Sequence, residues 1–487
     1  MKKKAALHNL GCKVNAYETE AMRQLLEEDG YEIVPFAPGA DVYVINTCTV
    51  TNIADRKSRQ MLHRARKMNP QAIVVAAGCY VQTALEPVED DPAIDIVLGN
   101  NCKKDLIEAL HGFEAVRAGE SETFFEEGTA AGVPAEADGK ESAEISADGQ
   151  SAPAEAENGK APAQKAAGGK IDINHTKEYE SLFVAKTMEH TRAYVKVQDG
   201  CNQFCSYCII PYARGRVRSR GLEDVMHEVR TLAENGCREV VLTGIHLSSY
   251  GTDLNLTLLD LIAAVHEIPG IARIRLGSLE PGIITEEFAV KLAELPKLCP
   301  HFHLSLQSGC SATLKRMNRR YTAEEFEKRC DILRRSFDRP AITTDVIVGF
   351  PGETQEEFEE TFDFLTRIKL YETHIFKYSR RHGTRAAAMP DQIPESEKGL
   401  RSDRLIQLGE KNRELFEKQY FGQTTEVLFE EINVIDGKEY FAGYTREYIK
   451  AAIPADQNYE NVLVQGTIGE ELDKHVFLFK EQFRNRD

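Results

Sequence analysis

Short apolar runs alternate with longer amphipathic segments along the first hundred residues. The runs are rich in Val, Ile and Ala, whereas residues 18–28 and 55–68 repeat apolar positions with helical spacing. Strands and helices in alternation predict a parallel, doubly wound α/β sheet. The predicted strands are residues 5–7, 42–45, 73–77 and 94–98.

A second alternation of apolar runs and helical patterns begins near residue 192. Six strand-like runs separated by helical patterns predict a partial parallel (βα)6 barrel. In such a fold the functional groups lie at the carboxyl ends of the strands. The predicted strands are residues 194–197, 239–243, 274–276, 303–306, 344–348 and 373–376.

The last hundred residues change character again. A helical pattern at residues 395–418 leads into five short β-like runs, which predict a small closed β-barrel of a kind that often binds nucleic acid. Residues 420–487 hold thirteen acids and seven bases, so any RNA contact must be local, and a purely structural role stays open. The predicted strands are residues 425–429, 440–445, 448–453, 461–464 and 476–479.

Residues 114–176 fit none of these patterns. They are rich in Ala, Gly, Glu and Ser, and their thirteen acids and five bases carry nearly half of the net charge of −17. This composition cannot bury enough apolar surface to offset ordering and predicts a disordered linker, with an inhibitory or partner-binding role as the alternative. It separates an N-terminal domain, residues 1–113, from a central domain with its connector, residues 177–418, and the C-terminal barrel, residues 419–487.

The length of 487 residues suits about three such domains. No run approaches the ~20 apolar residues of a membrane span, and no signal peptide is recognised. Eleven cysteines in such a chain indicate reduced thiols or metal ligands rather than a disulfide framework. We therefore expect a soluble, cytoplasmic protein.

Three cysteines cluster in the loop after the first predicted strand of the central domain. Cys201, Cys205 and Cys208 have the spacing CxxxCxxC, and cysteine thiolates are the usual ligands of 4Fe-4S clusters. A zinc site would need a fourth ligand, which the neighbouring sequence does not offer. The spacing therefore favours a 4Fe-4S cluster with one open iron, against the alternative of cysteines that only pack a core.

Three more cysteines follow the first three strands of the N-terminal domain. Cys12, Cys48 and Cys79 each come directly after a strand, and the carboxyl ends of parallel strands meet at one edge of a sheet. We expect the three thiols to converge there, with unrelated core cysteines as the alternative. Cys102 follows the fourth strand and is not needed for the set.

The CxxxCxxC loop resembles the signature of the radical S-adenosylmethionine (SAM) superfamily. Together with Leu-Gly-Cys12-Lys-Val-Asn, Asn46-Thr-Cys48-Thr-Val and Gly78-Cys79, it resembles the methylthiotransferase family. The resemblance implies a 4Fe-4S cluster on each cysteine trio, with SAM at the Cys201 cluster and sulfur presented at the second. It also implies methylthiolation of an adenine C2 in tRNA, with a TRAM-like RNA-binding module at the end of the chain.

The resemblance further implies side chains near SAM, and the pattern of arginines predicts side chains near RNA. Loops after the central strands would contact SAM through Gly244, Ser278, Glu280, Gln307 and Asp345, although polar loop residues are common in any such barrel. Alternating arginines after the cluster loop would share one side of an extended segment and receive phosphates, with a solvated charged surface as the alternative. The candidate RNA-binding residues are Arg214, Arg216, Arg218, Arg220 and Arg446.

Within the family, the local sequence around Cys12 and Cys48 is most similar to that of the MtaB-type branch, which acts on N6-threonylcarbamoyladenosine. The alternatives are a MiaB-type enzyme acting on isopentenyladenosine, a ribosomal-protein aspartate methylthiotransferase, and an RNA-binding iron-sulfur protein without turnover. A threonylcarbamoyl carboxylate predicts a cationic pocket residue, whereas an isopentenyl group predicts an apolar wall. The expected partners are the tRNA anticodon stem-loop and a flavodoxin- or ferredoxin-type electron donor, with neither membrane nor DNA.

Overall fold

A computed structural model describes residues 2–84, 88–119, 167–187 and 191–482. The N-terminal domain is a six-stranded parallel sheet in the order β2-β1-β3-β4-β5-β6, with helices on both faces. β3 and β4 are buried at every position because both of their faces are covered. The strands are β1 (Lys4–Asn9), β2 (Glu32–Ile33), β3 (Val42–Thr47), β4 (Ile73–Gly78), β5 (Ile96–Leu98) and β6 (Ala167–Gly169); the helices are α1 (Lys13–Glu28), α2 (Asn52–Met68), α3 (Cys79–Thr83) and α4 (Leu106–Ala118).

Both ends of the predicted linker at residues 114–176 belong to this domain instead. α4 continues to Ala118, and β6 extends the sheet beside β5. The last turns of α4 are held by contacts that cannot be read from composition. One of them is the ion pair of 2.6 Å between Glu114 and Lys3. β6 is held by backbone hydrogen bonds, for which small side chains suffice. Residues 120–166 of the predicted linker lie outside the described residues.

The central domain is the predicted partial barrel of six parallel strands. β7, β9 and β10 form one hydrogen-bonded group and β11, β12 and β13 another, and isolated bridges such as Leu279 to Leu304 join the two. The strands are β7 (Arg192–Asp199), β8 (Arg218–Ser219, antiparallel on β7), β9 (Glu239–Gly244), β10 (Arg273–Leu276), β11 (His301–His303), β12 (Ala341–Val348) and β13 (Glu372–Lys377). The helices are α5 (Ile210–Arg214), α6 (Leu222–Glu234), α7 (Leu258–His266), α8 (Glu286–Ala293), α9 (Ser311–Arg316), α10 (Ala323–Ser336) and α11 (Gln355–Ile368).

The fourth strand of this barrel lies earlier than predicted, at His301–His303 rather than at 303–306. The apolar pattern continues through Leu304 and Leu306, which are buried in the same core, so the pattern alone does not mark the end of the strand. Beyond it the backbone turns, and Gln307 adopts a φ of +72°. This turn brings Gln307 to the carboxyl end of the barrel.

The C-terminal domain is the predicted closed five-stranded barrel, joined through α12 (Glu395–Glu417). It docks on the amino ends of the central strands, where Arg192 pairs with Glu430 at 2.5 Å and Arg273 with Glu426 at 2.9 Å. The order around the barrel is β14-β15-β16-β18-β17. The strands are β14 (Thr424–Ile435), β15 (Lys438–Thr445), β16 (Lys450–Pro454), β17 (Leu463–Asp473) and β18 (Val476–Glu481). No helix in the described ranges is long and apolar enough to cross a membrane.

A buried ion network joins the N-terminal and central domains. Glu18 of α1 is fully buried and accepts from Arg214 at 2.7 Å and from Lys196 of β7 at 2.8 Å, and Lys103 lies 3.2 Å away. Burial would raise the pKa of Glu18, but the charges of Arg214, Lys103 and Lys196 hold it well below its usual range. The single carboxylate therefore compensates three buried cations, with Asp199 sharing two of them.

We expect Glu18→Gln to destabilise the fold strongly. Removing one partner of a buried ion network leaves uncompensated charge and costs about 3–5 kcal/mol. Chemical denaturation should show a large fall in midpoint relative to Glu28→Gln, which makes the same change at an exposed position at the end of α1. Equal midpoints for the two variants would contradict this account of the interdomain contact.

Candidate active site between two cysteine trios

The first cysteine trio lies at one edge of the N-terminal sheet. Cys12 precedes α1, Cys48 follows β3, and Cys79 begins α3 directly after β4. The three strands pair in parallel, so that Asn9 lies opposite Asn46 and Thr47 opposite Gly78. The sheet thus ends at one level for all three cysteines, and Cys79 and Cys12 lie close enough for their charges to add to burial in raising the pKa of Cys48.

The surroundings of this trio suit thiolate ligands of an iron-sulfur cluster. The guanidinium of Arg214 donates from Nε to Cys79 Sγ at 3.3 Å, and Asn100 Nδ2 donates to the same sulfur at 3.5 Å. A side chain at Gly11 would place its Cβ 3.0 Å from Cys48 Sγ, so glycine keeps the space beside that sulfur. Hydrogen bonds to the sulfurs are one means by which proteins set the reduction potential of such clusters, and the space beside Cys48 leaves room for the cluster itself.

The second trio lies in the loop after β7. The N–H of Cys201 donates to the carbonyl of Gly215 at 3.0 Å, and the N–H of Cys208 donates to that of Cys205 at 3.0 Å. Gly200, directly before Cys201, has a φ of +72°, and a Cβ on it would lie 1.8 Å from the carbonyl oxygen of Arg216. Glycine is therefore required for the loop to turn back and gather its three thiols.

Donors also point at this second trio. Arg319 Nη1 donates to Cys205 Sγ at 3.1 Å, and the backbone N–H of Gln203 donates to Cys201 Sγ at 3.5 Å. In neither trio do all three sulfurs lie within 4.8 Å of one another, a spacing that a single ion would need. The donor sets therefore fit two clusters better than two single ions.

All six thiols are free of disulfides. Burial raises the pKa of Cys48 and of Cys201 to about 11, and that of Cys208 to about 12. Thiolates rather than thiols bind iron, so loading releases protons and is favoured as the pH rises.

A cavity of about 180 Å³ extends from Cys208 of the second trio toward the segment that follows Cys48 of the first. Cys208 and Tyr207 line it from the loop of the second trio, while Thr51 lines it from the segment that follows Cys48. Gln307 and Asp345, two of the residues predicted to contact SAM, line its opposite side. The cavity is therefore the candidate reaction site.

The other residues predicted to contact SAM lie on a different side of the cluster loop. Gly244 ends β9, where a Cβ would meet the side chain of Gln198 at 2.8 Å. Glu280 accepts two bonds of 2.8 Å from Arg319, the arginine that also reaches Cys205, and Ser278 is exposed to solvent. His246 Nε2 lies 3.7 Å from Glu280 and completes a polar group beside the loop.

The alternating arginines do not form the predicted phosphate-binding row. Arg214, Arg218 and Arg220 are buried, and Arg220 pairs with Glu228 at 2.9 Å. Arg216 is the exposed member of the four and lies over the ring of Phe204 at 4.5 Å. The prediction fails because the segment folds into α5 and the edge strand β8, so the side chains do not alternate as on one extended strand.

Arg446 also differs from its predicted role. Its Nη2 donates to the carbonyls of Pro296 at 2.6 Å and Leu298 at 2.5 Å, both in the central domain. The guanidinium therefore docks the C-terminal barrel instead of facing RNA.

Sequence reasoning missed the contacts that Arg214 and Arg319 make with the cysteines. Each arginine reaches its sulfur from more than a hundred residues away along the chain. The sequence shows only that both belong to basic runs, and the packing of the domains decides which sulfur each one reaches.

Fold and site together define a radical SAM protein with a second cysteine trio. Residues 195–365 match the model of the radical SAM superfamily, and residues 4–99 match that of the uncharacterized protein family UPF0004.

Among known proteins, the chain is 38% identical over 463 residues to the threonylcarbamoyladenosine tRNA methylthiotransferase MtaB of Bacillus subtilis, covering 94% of this chain and 92% of that protein. The MtaB of Aquifex aeolicus is 37% identical, with coverages of 88% and 93%. A tRNA-2-methylthio-N(6)-dimethylallyladenosine synthase of Thermoanaerobacter sp. is 34% identical, with coverages of 89% and 83%. The chain belongs to the radical SAM methylthiotransferase family and is an enzyme of that class.

Anaerobic reconstitution should load about eight irons per chain, because two cubanes hold four each. Replacing Cys12, Cys48 and Cys79 together with Ala should leave about four, measured by iron and sulfide analysis. Cys102→Ala, a change in the same domain but outside the trio, should leave about eight. A triple variant that keeps about eight irons would contradict the assignment of the first trio.

Proposed function

We propose that this enzyme methylthiolates C2 of N6-threonylcarbamoyladenosine next to the tRNA anticodon. The observation that carries the proposal is a cavity that Cys208 of the radical SAM loop and Thr51, close after Cys48 of the other trio, both line. When bound, SAM and the two 4Fe-4S clusters supply the electron, the radical that opens a C–H bond, and the methylated sulfur.

The protein's own residues position these groups and shield them from water. Arg319 holds Cys205 and Glu280 together, while Arg214 and Asn100 hold Cys79 from the other side. Gln307 and Asp345 offer polar atoms to whatever enters the cavity between the trios. The proposed arrangement places the adenine between the site that activates its C–H bond and the site that delivers sulfur.

An adjoining cleft offers a path for the RNA. This cleft of about 390 Å³ is lined by Tyr80, which follows Cys79, and by Ile209, which follows Cys208. Arg59 of α2, Arg380 and His382 line it as well and are exposed. Cationic side chains beside the cavity would bind phosphates through local potential, in spite of the acidic chain.

The proposal includes the partners that this chemistry requires. The substrate is the anticodon stem-loop of a tRNA, and a flavodoxin- or ferredoxin-type protein in the cytoplasm supplies electrons. The branch of the family rests on the similarity of the chain to two MtaB proteins over most of its length.

Turnover with purified, reconstituted enzyme tests the proposal. An anticodon stem-loop bearing N6-threonylcarbamoyladenosine should gain a 2-methylthio group with SAM and dithionite, as detected by mass spectrometry. Cys201→Ala should abolish both this product and 5′-deoxyadenosine. Methylthiolation of an isopentenyladenosine stem-loop alone would overturn the substrate assignment, and turnover of neither RNA would overturn the function.

Arg59→Gln and Arg380→Gln should each weaken tRNA binding to a similar degree for all tRNA sequences. Each lost phosphate contact should reduce the slope of log affinity against log salt by roughly 0.7 to 1. Filter binding across a salt series measures both effects, with Arg335→Gln on the surface of α10 as the charge-matched control. Unchanged slopes in both variants would exclude this cleft as the RNA path.

A further inference from the structure

The central barrel has a polar lumen below the cavity between the trios. Its strands bury alternate apolar residues beneath the helices, such as Ile274, Phe302 and Val346, and the intervening side chains face inward. We define the lumen by those inward-facing residues. They are Arg192, Arg275, His301, His303, Asp345 and His374.

The floor of the lumen is closed by Tyr448 of the C-terminal barrel. Its ring stacks on His301 at 4.9 Å, and the guanidinium groups of Arg275 and Arg192 lie 4.8 Å and 5.1 Å from the ring centre. Both arginines already have carboxylate partners, since Arg275 pairs with Glu239 at 2.7 Å and Arg192 with a glutamate of the C-terminal barrel. The charges at the floor are thus already matched by carboxylates.

Higher in the lumen lies a polar cluster whose groups are not fully satisfied. The ligand atoms of His303, Asp345 and His374 all lie within 4.8 Å of one another, and Asp345 also lines the cavity between the trios. His303 Nδ1 lies 3.0 Å from the hydroxyl of Thr343. Its Nε2 is buried 3.4 Å from Asp345 but makes no aligned hydrogen bond. A buried ring nitrogen without a partner, in a cluster that opens on the reaction cavity, indicates a ligand contact.

Lys13 brings a positive charge to the same place. It is the first residue of α1 and follows Cys12, and its side chain is accessible to solvent. Desolvation and the charges of Arg275 and Arg192 lower the pKa of Lys13, the charge of Asp345 raises it, and Lys13 in turn lowers the pKa of His301. These four residues belong to four different strands of the barrel, so Lys13 lies near the lumen, on the side of the first trio. No carboxylate of the described chain lies within 4 Å of the Lys13 ammonium.

We propose that Lys13 and the cluster of His303, Asp345 and His374 form the subsite that reads the substituent on N6 of the adenine. Lys13 pairs with the carboxylate of the threonylcarbamoyl group, and the cluster binds its hydroxyl and ureido groups. This subsite rests on the proposed function, since it assumes that substrate. An isopentenyl group offers nothing to either set of atoms and would leave all of them unsatisfied.

Two stem-loops that differ only in the carboxylate test the subsite. One bears N6-threonylcarbamoyladenosine, and in the other the carboxylate is converted to the primary amide. Wild-type enzyme should prefer the carboxylate RNA by about 10- to 100-fold in kcat/KM, the value of one hydrogen-bonded charge pair. Lys13→Gln should lose this preference by slowing on the carboxylate RNA alone, whereas Lys13→Arg should keep most of it.

Three measurements separate this role from damage to the neighbouring Cys12 site. Lys13→Gln should retain about eight irons and should form 5′-deoxyadenosine from SAM at the wild-type rate without RNA. Lys67→Gln removes a lysine in the last turn of α2, at the opposite end of that helix from Cys48, and should leave the preference intact. If Lys13→Gln loses iron, the comparison of the two RNAs with wild-type enzyme and with Lys13→Arg still tests whether a cation reads the carboxylate.

The outcomes distinguish the subsite from the function. Equal activity of wild-type enzyme on the two RNAs, or an equal loss on both RNAs in Lys13→Gln, would overturn the subsite while the function stands. Failure of wild-type enzyme to methylthiolate the carboxylate RNA at all would overturn the proposed function itself.

Discussion

The guanidinium of Arg214 ties the two halves of the active site together. It is fully buried, bonds Glu18 and Asn15 of α1 on one side and Asp199 of the central domain on the other, and still reaches Cys79. Burial would lower the pKa of Arg214, but the charges around it, with Cys79 and Glu18 foremost, raise the pKa well above its usual value. A charge bound in this way holds the N-terminal and central domains together beside Cys79, because residues of both domains bond to it.

Ion pairing also explains how so acidic a chain is built around basic clusters. Glu426 and Glu430, in the net-negative C-terminal barrel, are used to bind Arg273 and Arg192 at the base of the central barrel. The acidic residues of the C-terminal barrel argue against a general RNA-binding surface, and these two bind the barrel to the central domain instead. Two cations that remain exposed, Arg59 and Arg380, line the cleft beside the cavity.

The sequence predicted much of the fold because its strands are marked by apolar runs of the right length. β3, β4 and five of the six central strands are recognisable in this way, whereas the fourth lies earlier than its apolar run. Parallel topology then predicts that cysteines placed after neighbouring strands meet at one edge of the sheet. Strands of two or three residues, such as β2, β6 and β8, carry too few positions for a pattern.

Side-chain direction was predicted less well than backbone order. The arginines after the cluster loop alternate in sequence. Arg214 and Arg220 nevertheless point into the protein, because each forms an ion pair with a buried carboxylate on another element. Nothing in the sequence distinguishes Lys13 beyond the motif around Cys12, and its position near Asp345 depends on how one domain packs on the other. Partners supplied from distant parts of the chain leave no local trace in the sequence.

The central claim is that the two cysteine trios serve one reaction on one tRNA nucleoside. Mass spectrometry of nucleosides from cells with and without this gene tests it most directly. We expect loss of the 2-methylthio form of N6-threonylcarbamoyladenosine, with accumulation of the form lacking sulfur and no change in isopentenyladenosine derivatives. An unchanged nucleoside profile, in cells where the enzyme is expressed and loaded with iron, would contradict the account.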